Sequence, residues 1–221
     1  MMPFPGGLDS TPNGMLVFAA AAAVLYAFMI TRGPDLRRTL VKTVPVALLS
    51  LLAAIEGGPV LLVAALALSA LGDACLAQDG ERAFLAGLAS FLAAHIAFAA
   101  LFFGMNEAGL FSSEPWRLAI GAGMAALALG LLARLWPAVG PKLQIPVAAY
   151  AAAILAMGVT ALGAPGYGLA LGAAAFMASD SLLAAEKFLT GPGSPWSSPM
   201  RLGVWVLYIA AQFILTLSII A

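Results

Sequence analysis

Charge is what this sequence has least of. Only 9% of its 221 residues are Asp, Glu, Lys or Arg, against 63% hydrophobic, where a water-soluble domain carries about 25% charged residues. So much apolar surface cannot be hidden from water by a core of this size, so the solvent for most of the chain must be lipid. One cysteine, Cys75, excludes an internal disulfide and any thiolate cluster for a metal. One histidine, His95, excludes multi-histidine zinc chemistry, and no metal or other cofactor is expected. Ten basic residues balance ten acidic ones, which leaves no electropositive footprint for nucleic acid. The sequence has no G-x-S-x-G elbow, no H-E-x-x-H and no phosphate-binding glycine loop. Residues 1–14 contain neither Lys nor Arg, unlike the positive start of a signal peptide, so the first apolar run is expected to be a retained span.

What is present is apolar sequence in measured lengths. Runs fall at 15–31, 39–55, 59–77, 83–103, 116–135, 143–162, 166–185 and 202–220, each long enough to cross a hydrocarbon core of about 30 Å. The gaps are short and rich in turn residues: RGPDLRR, EGGP, QDGER, GAPG and TGPGSPWSSP. The expected architecture is an all-α integral membrane protein, one domain over 1–221 forming a bundle of eight transmembrane helices. Arg32, Arg37, Arg38, Lys42, Arg82, Arg134, Lys142, Lys187 and Arg201 fall at alternate gaps or the adjoining helix ends, and only Arg117 falls on the other side. That bias puts the first connection in the cytoplasm and both termini on the non-cytoplasmic side. Trp116 and Tyr167 then mark outer ends, and Trp136 and Trp196 inner ones. Runs such as GAGMAALALG supply small residues for close helix packing. Pro45 and Pro146 are expected to kink the second and sixth segments. GDACLA (72–77) and SDSLLA (179–184) share D-x-x-L-A, and with the two prolines they are what a four-plus-four duplication would leave.

Ionisable residues inside such segments cost roughly 2.5–3.5 kcal/mol each and mark function by default. The candidates are Lys42, Asp73, His95 and Asp180, with Ser69, Tyr208 and Gln212 beside them. Counting from the cytoplasmic ends at 1.5 Å per residue, Asp73 lies ~6 Å deep, Asp180 ~9 Å, Lys42 ~5 Å and Tyr208 ~10 Å, with His95 and Gln212 at ~20 and ~16 Å. Ser69 and Asp73 are i, i+4 and share a helix face, as do Tyr208 and Gln212. Glu56 and Glu186, at helix ends, are expected to be solvated. Each candidate has an ordinary alternative. Lys42 can snorkel to the interface, the aspartates can make interhelical bonds or pair with Lys42, and His95, Tyr208 and Gln212 can satisfy one another's helices. Ser179 and Ser181 can bond their own i−4 carbonyls.

Two carboxyls close together in a low dielectric do not both ionise easily, which gives an acid and a base at neutral pH. Glycosidases use such a pair to make an oxocarbenium ion and activate water against it, and a vinyl ether hydrolyses through the same kind of cation after protonation on carbon. The same pair serves equally as a proton relay in a proton-coupled transporter or lipid flippase.

SALGDACLA, FLAGLASFLAAHIAF, GAAAFMASDSLLAAEKF and YIAAQ occur in this order, with Lys42–Pro45 ahead of them and Pro146 and Tyr150 in a P-x-x-x-Y between. The set resembles the bacterial YhhN / TMEM86 lysoplasmalogenase family from the second segment to the eighth, although Phe98 stands where many members have tyrosine. The resemblance implies an eight-helix protein of the bacterial inner membrane that cleaves the vinyl ether bond of a lysoplasmalogen, giving a fatty aldehyde and glycerophosphoethanolamine or glycerophosphocholine. Its partners would be that lysophospholipid and the bilayer. By position it implies Asp73 and Asp180 as acid and base in the cytoplasmic half of the membrane. Lys42 is then placed to bind phosphate or tune a carboxyl, and Tyr208, Gln212 and His95 to position water or a glycerol hydroxyl.

Overall fold

The computed structural model describes residues 2–191 and 193–221, so Met1 and Pro192, the latter in the 190–199 gap, lie outside the described residues. Every regular element among them is helical. A 3₁₀ turn at Gly7–Asp9 precedes α1 (Thr11–Ala27), α2 (Leu36–Ile55), α3 (Val60–Leu76), α4 (Glu81–Gly104), the one-turn α5 (Leu110–Ser113), α6 (Trp116–Leu135), α7 (Pro141–Gly163), α8 (Gly168–Leu189) and α9 (Ser197–Ile220). Six of these, α2, α4 and α6 to α9, are long and apolar enough to cross a membrane, while α1 and α3 are apolar helices of 17 residues each. A 17-residue helix is about 26 Å long, at the short end of the range that crosses a bilayer. α2 and α7 continue through Pro45 and Pro146.

The chain forms two compact units: Met1–Phe98 with Gln212–Ala221, and Ala99–Ala211. In the first unit α2 packs on α1 and α3. Asp35 caps α2, its carboxylate accepting the Arg38 backbone N–H. Arg38 then reaches the end of α3, donating to the Ala77 carbonyl at 2.6 Å, and Gln78 Nε2 donates to Thr39 Oγ1 at 2.6 Å. A cation on the free carbonyls of a helix C-terminus satisfies both hydrogen bonding and the macrodipole. These ties fix an antiparallel register in which residue 38 faces 77. The start of the chain is held by Asn13, fully buried, whose amide accepts from the Phe4 N–H and donates to the Phe4 and Gly7 carbonyls at 3.2, 2.8 and 2.9 Å.

In the second unit α6, α7 and α8 pack on one another. Leu135, Val139 and Val147 form a buried cluster against Leu143, Ala184 and Phe188, so α7 and α8 run antiparallel with 147 near 184 and 143 near 188. At the other end Arg117, the one basic residue that departs from the charge bias, is 1% exposed. Its Nη1 donates to the Leu162 and Ala164 carbonyls at 2.7 and 2.8 Å, Nε pairs with Glu114 at 3.2 Å, and the guanidinium lies 4.8 Å from the Trp116 ring. It is a C-terminal cap for α7. Arg117→Ala is expected to cost about 2–4 kcal/mol through two lost charge-assisted bonds, read as a lower thermal midpoint in detergent. Arg117→Lys should recover part of that, because an ammonium reaches one carbonyl but lacks the fork. Glu186 is also not simply solvated: its side chain is 11% exposed and pairs with Arg201 Nε at 2.9 Å, which extends α8 and α9 past their apolar stretches.

Candidate functional site

The register of α2 and α3 decides where Lys42 and Asp73 go. Lys42 is one turn beyond Arg38 and Asp73 one turn before Ala77, so the facing that joins 38 to 77 also joins 42 to 73. Lys42 Nζ lies 3.5 Å from Asp73 Oδ1, with side chains 12% and 2% exposed. Of the readings open for Lys42, pairing with Asp73 is the one observed. Ser69, one turn back on α3, is buried and donates to the Ala65 carbonyl at 2.8 Å, which leaves its oxygen to act as an acceptor.

Opposite Asp73 stands α4. A Cβ on Gly72 would sit 2.6 Å from the Phe91 ring and one on Gly87 2.6 Å from Leu76, while Ser90 Oγ donates to the Leu68 carbonyl at 2.7 Å. Glycine at 72 and 87 therefore lets α3 and α4 approach in a way no larger residue allows. This register puts His95, fully buried, level with Leu68 and Ser69. It is one turn from Asp73, or about 6–7 Å along the axis, and not the ~14 Å of the depth count. The count failed because the first turns of α4 run on past the end of α3. Gln212 belongs to the same unit and is wholly buried. Neither its amide oxygen nor its nitrogen has a hydrogen-bond partner among the described residues, and the same holds for the Thr216 hydroxyl one turn further on. Two polar side chains left this way are costly unless a ligand or water uses them.

In the second unit Asp180 of α8 is half-buried, and its Oδ2 accepts a 2.5 Å hydrogen bond from the Tyr150 hydroxyl of α7. The facing of 147 with 184 carries this pair one turn along. Ser179 does not bond its own helix but donates to the Val204 carbonyl of α9 at 2.9 Å, fixing α8 against α9 beside Asp180. Tyr208 is buried, its ring 5.4 Å from Phe176 edge-on and 5.9 Å from Trp205. Phe176 precedes Asp180 by one turn, so Tyr208 stands next to the carboxylate's turn of helix. Tyr150 is the residue that sequence reasoning did not place in the site, although its fixed spacing after Pro146 was the available signal.

Each unit thus holds an aspartate on its third long helix, bonded by a side chain from a proline-containing second helix. In one the partner is an ammonium and in the other a phenol. Among the described residues no group of three His, Cys, Asp or Glu side chains is arranged to hold a metal ion. The chemistry on offer is that of carboxyls, an amine and hydroxyls in a water-poor setting: proton transfer, and stabilisation of a developing cation.

The sequence profile of the YhhN family matches residues 37–219. The chain is similar to proteins named lysoplasmalogenase from Mycobacterium tuberculosis and Mycobacterium bovis, 36% identical over 159 residues that make up 70% of this chain and 58% of each relative. The chain therefore spans under two thirds of the length of those relatives. It is also 34% identical over 190 residues to the Sus scrofa protein named lysoplasmalogenase TMEM86B, covering 81% of this chain and 74% of that one. No solved structure matches it.

Proposed function

Because the chain belongs to the YhhN family, we propose that it is a membrane-embedded hydrolase that cleaves the vinyl ether bond of a lysoplasmalogen. The products are a fatty aldehyde and glycerophosphoethanolamine or glycerophosphocholine. The observation that carries the reading is the pair of intramembrane aspartates, each bonded to a neighbouring helix by a proton-bearing side chain, in a chain similar to lysoplasmalogenases over most of its length. One carboxyl protonates the alkenyl carbon beyond the ether carbon and the other takes a proton from the attacking water. Ser69, His95, Tyr208 and the unpartnered amide of Gln212 suit the placing of water and glycerol hydroxyls, and Lys42 suits the charge of the head group or of Asp73. No metal or organic cofactor is needed for an acid-catalysed vinyl ether hydrolysis.

The reading includes a single domain of eight spans with both termini on the non-cytoplasmic side of a bacterial inner membrane and Asp73 and Asp180 in its cytoplasmic half. It rests on eight apolar helices and on nine basic residues against one, that one being a helix cap. The test is hydrolysis by the purified protein in ¹⁸O-labelled water, followed by mass spectrometry. Addition of water to the ether carbon puts the label in the aldehyde and leaves the glycerol oxygen unlabelled. Label in the glycerol product would mean a different bond is cut. No change in any vinyl ether lipid, from folded protein, would turn the aspartates into the relay of a proton-coupled transporter or flippase.

A further inference from the structure

We propose that Gln212 and Thr216 form a hydroxyl-binding subsite inside the first unit, and that its ligand is the free glycerol hydroxyl of a single-chain ether lipid. This rests on the hydrolase reading above and adds to it what selects the substrate. Both residues belong to the part of α9 that lies in that unit, and both are wholly buried. They are i, i+4 and so share one face of the helix. Serine and threonine hydroxyls inside a helix can bond the carbonyl four residues back, as Ser69 does to Ala65 and Thr160 to Ala156, each at 2.8 Å. The Thr216 hydroxyl makes no such bond, and neither the oxygen nor the nitrogen of the Gln212 amide has a hydrogen-bond partner among the described residues. Polar atoms withheld from water along one helix face are costly unless a ligand takes them.

Their level in the unit follows from the end of α9. A Cβ on Gly58 would lie 3.0 Å from the Ile220 side chain, so α9 ends beside the turn from which α3 starts at Val60. Gln212 lies eight residues back along α9 and Leu68 eight residues on along α3, each about 12 Å from that turn. Gln212 therefore comes level with Leu68 and Ser69, in the layer that also holds His95. Thr216 lies one turn closer to the α2–α3 connection. An amide and a hydroxyl bring no charge to balance a buried ion, so the group they suit is neutral and both donates and accepts. A lysolipid carries one such group, the alcohol on its glycerol. Acylation turns that alcohol into an ester, which has no donor and adds a second chain. A site built to bond a hydroxyl rejects the ligand that lacks it, because its buried polar groups are then left unpaired.

The experiment measures equilibrium binding to the purified protein of a saturated 1-O-alkyl glycerophosphoethanolamine, which has no vinyl ether to cleave, and of its 2-deoxy analogue. Wild type, Gln212→Met and Thr216→Val are compared, with thermal melts and with hydrolysis of the alkenyl lipid with and without its hydroxyl. Met keeps the length of Gln and Val the shape of Thr, so each change removes hydrogen bonding and little else. The wild type is expected to bind the hydroxyl-bearing lipid about 10- to 100-fold more tightly than the deoxy one, and each variant should lose most of that preference. Without lipid, both variants should melt no lower than the wild type, because no hydrogen bond to the described residues is lost. Equal binding of the two lipids by the wild type would overturn the subsite, as would a preference that survives in both variants. Lower melting of the lipid-free variants would overturn it too, since these groups would then serve the protein's own packing. An equal loss of hydrolysis on both alkenyl lipids would give the pair to a bound water instead. A hydroxyl preference in a wild type that hydrolyses no vinyl ether would uphold the subsite and overturn the hydrolase reading.

Discussion

Asp180→Asn is expected to lower kcat for lysoplasmalogen hydrolysis by about 100- to 10,000-fold, the contribution of a positioned general acid or base, with little change in thermal stability. The substitution is nearly isosteric, and the asparagine carbonyl still accepts from the Tyr150 hydroxyl that Asp180 now binds at 2.5 Å. Ser179, which ties α8 to the Val204 carbonyl, is untouched. What disappears is a carboxyl able to give or take a proton. Aldehyde release by mass spectrometry from matched amounts of wild type and variant, with thermal melts alongside, checks it. A folded Asp180→Asn protein of wild-type activity would remove Asp180 from the chemistry, and the same result for Asp73→Asn would end the two-carboxyl mechanism.

Much of the helical layout was legible because it is written in one dimension. Where lipid replaces water, apolar runs and the turn residues between them mark helices directly, and the run at 116–135 matches α6 to the residue. The ends drifted where other forces act. α1 lies four residues earlier than its apolar run, with Pro12 in its first turn. α8 and α9 run on where Glu186 and Arg201 pair. The candidate aspartates were legible for a related reason, since a carboxylate in an apolar run is costly enough to stand out. Lys42 was legible as a partner, but not which aspartate it would meet, and Tyr150 was not. A helix apolar on all sides offers no face to read, so the residue opposite Asp73 or Asp180 depends on interhelical register. That register is set by end contacts such as Arg38 on the Ala77 carbonyl, which no pattern within one segment encodes. The misjudged depth of His95 and the interhelical bond of Ser179 have the same origin. Arg117 is the sharpest case: the sequence shows a lone basic residue outside the pattern of the other nine, and only the position of the α7 C-terminus shows what it binds.

The second large effect concerns the Lys42–Asp73 pair. Lys42→Met is expected to destabilise the protein by about 3–5 kcal/mol, because it leaves a carboxylate buried without its counter-ion. Asp73 is only 2% exposed and cannot move to water without unpacking α3 from α4, where Gly72 already lies against Phe91. Adding Asp73→Asn to Lys42→Met removes the uncompensated charge, so the double variant should regain most of that stability. Its hydrolase activity should stay lost, since one of the two carboxyls proposed for the reaction is gone. Unfolding of the four proteins of this cycle, with aldehyde release measured on each, separates the two roles. Recovery of stability without activity means that the ion pair is the structural cost of keeping a reactive carboxyl inside the membrane. If Lys42→Met is as stable and active as the wild type, the ammonium neither balances Asp73 nor serves the reaction. If the double variant regains activity together with stability, Asp73 takes no part in the reaction.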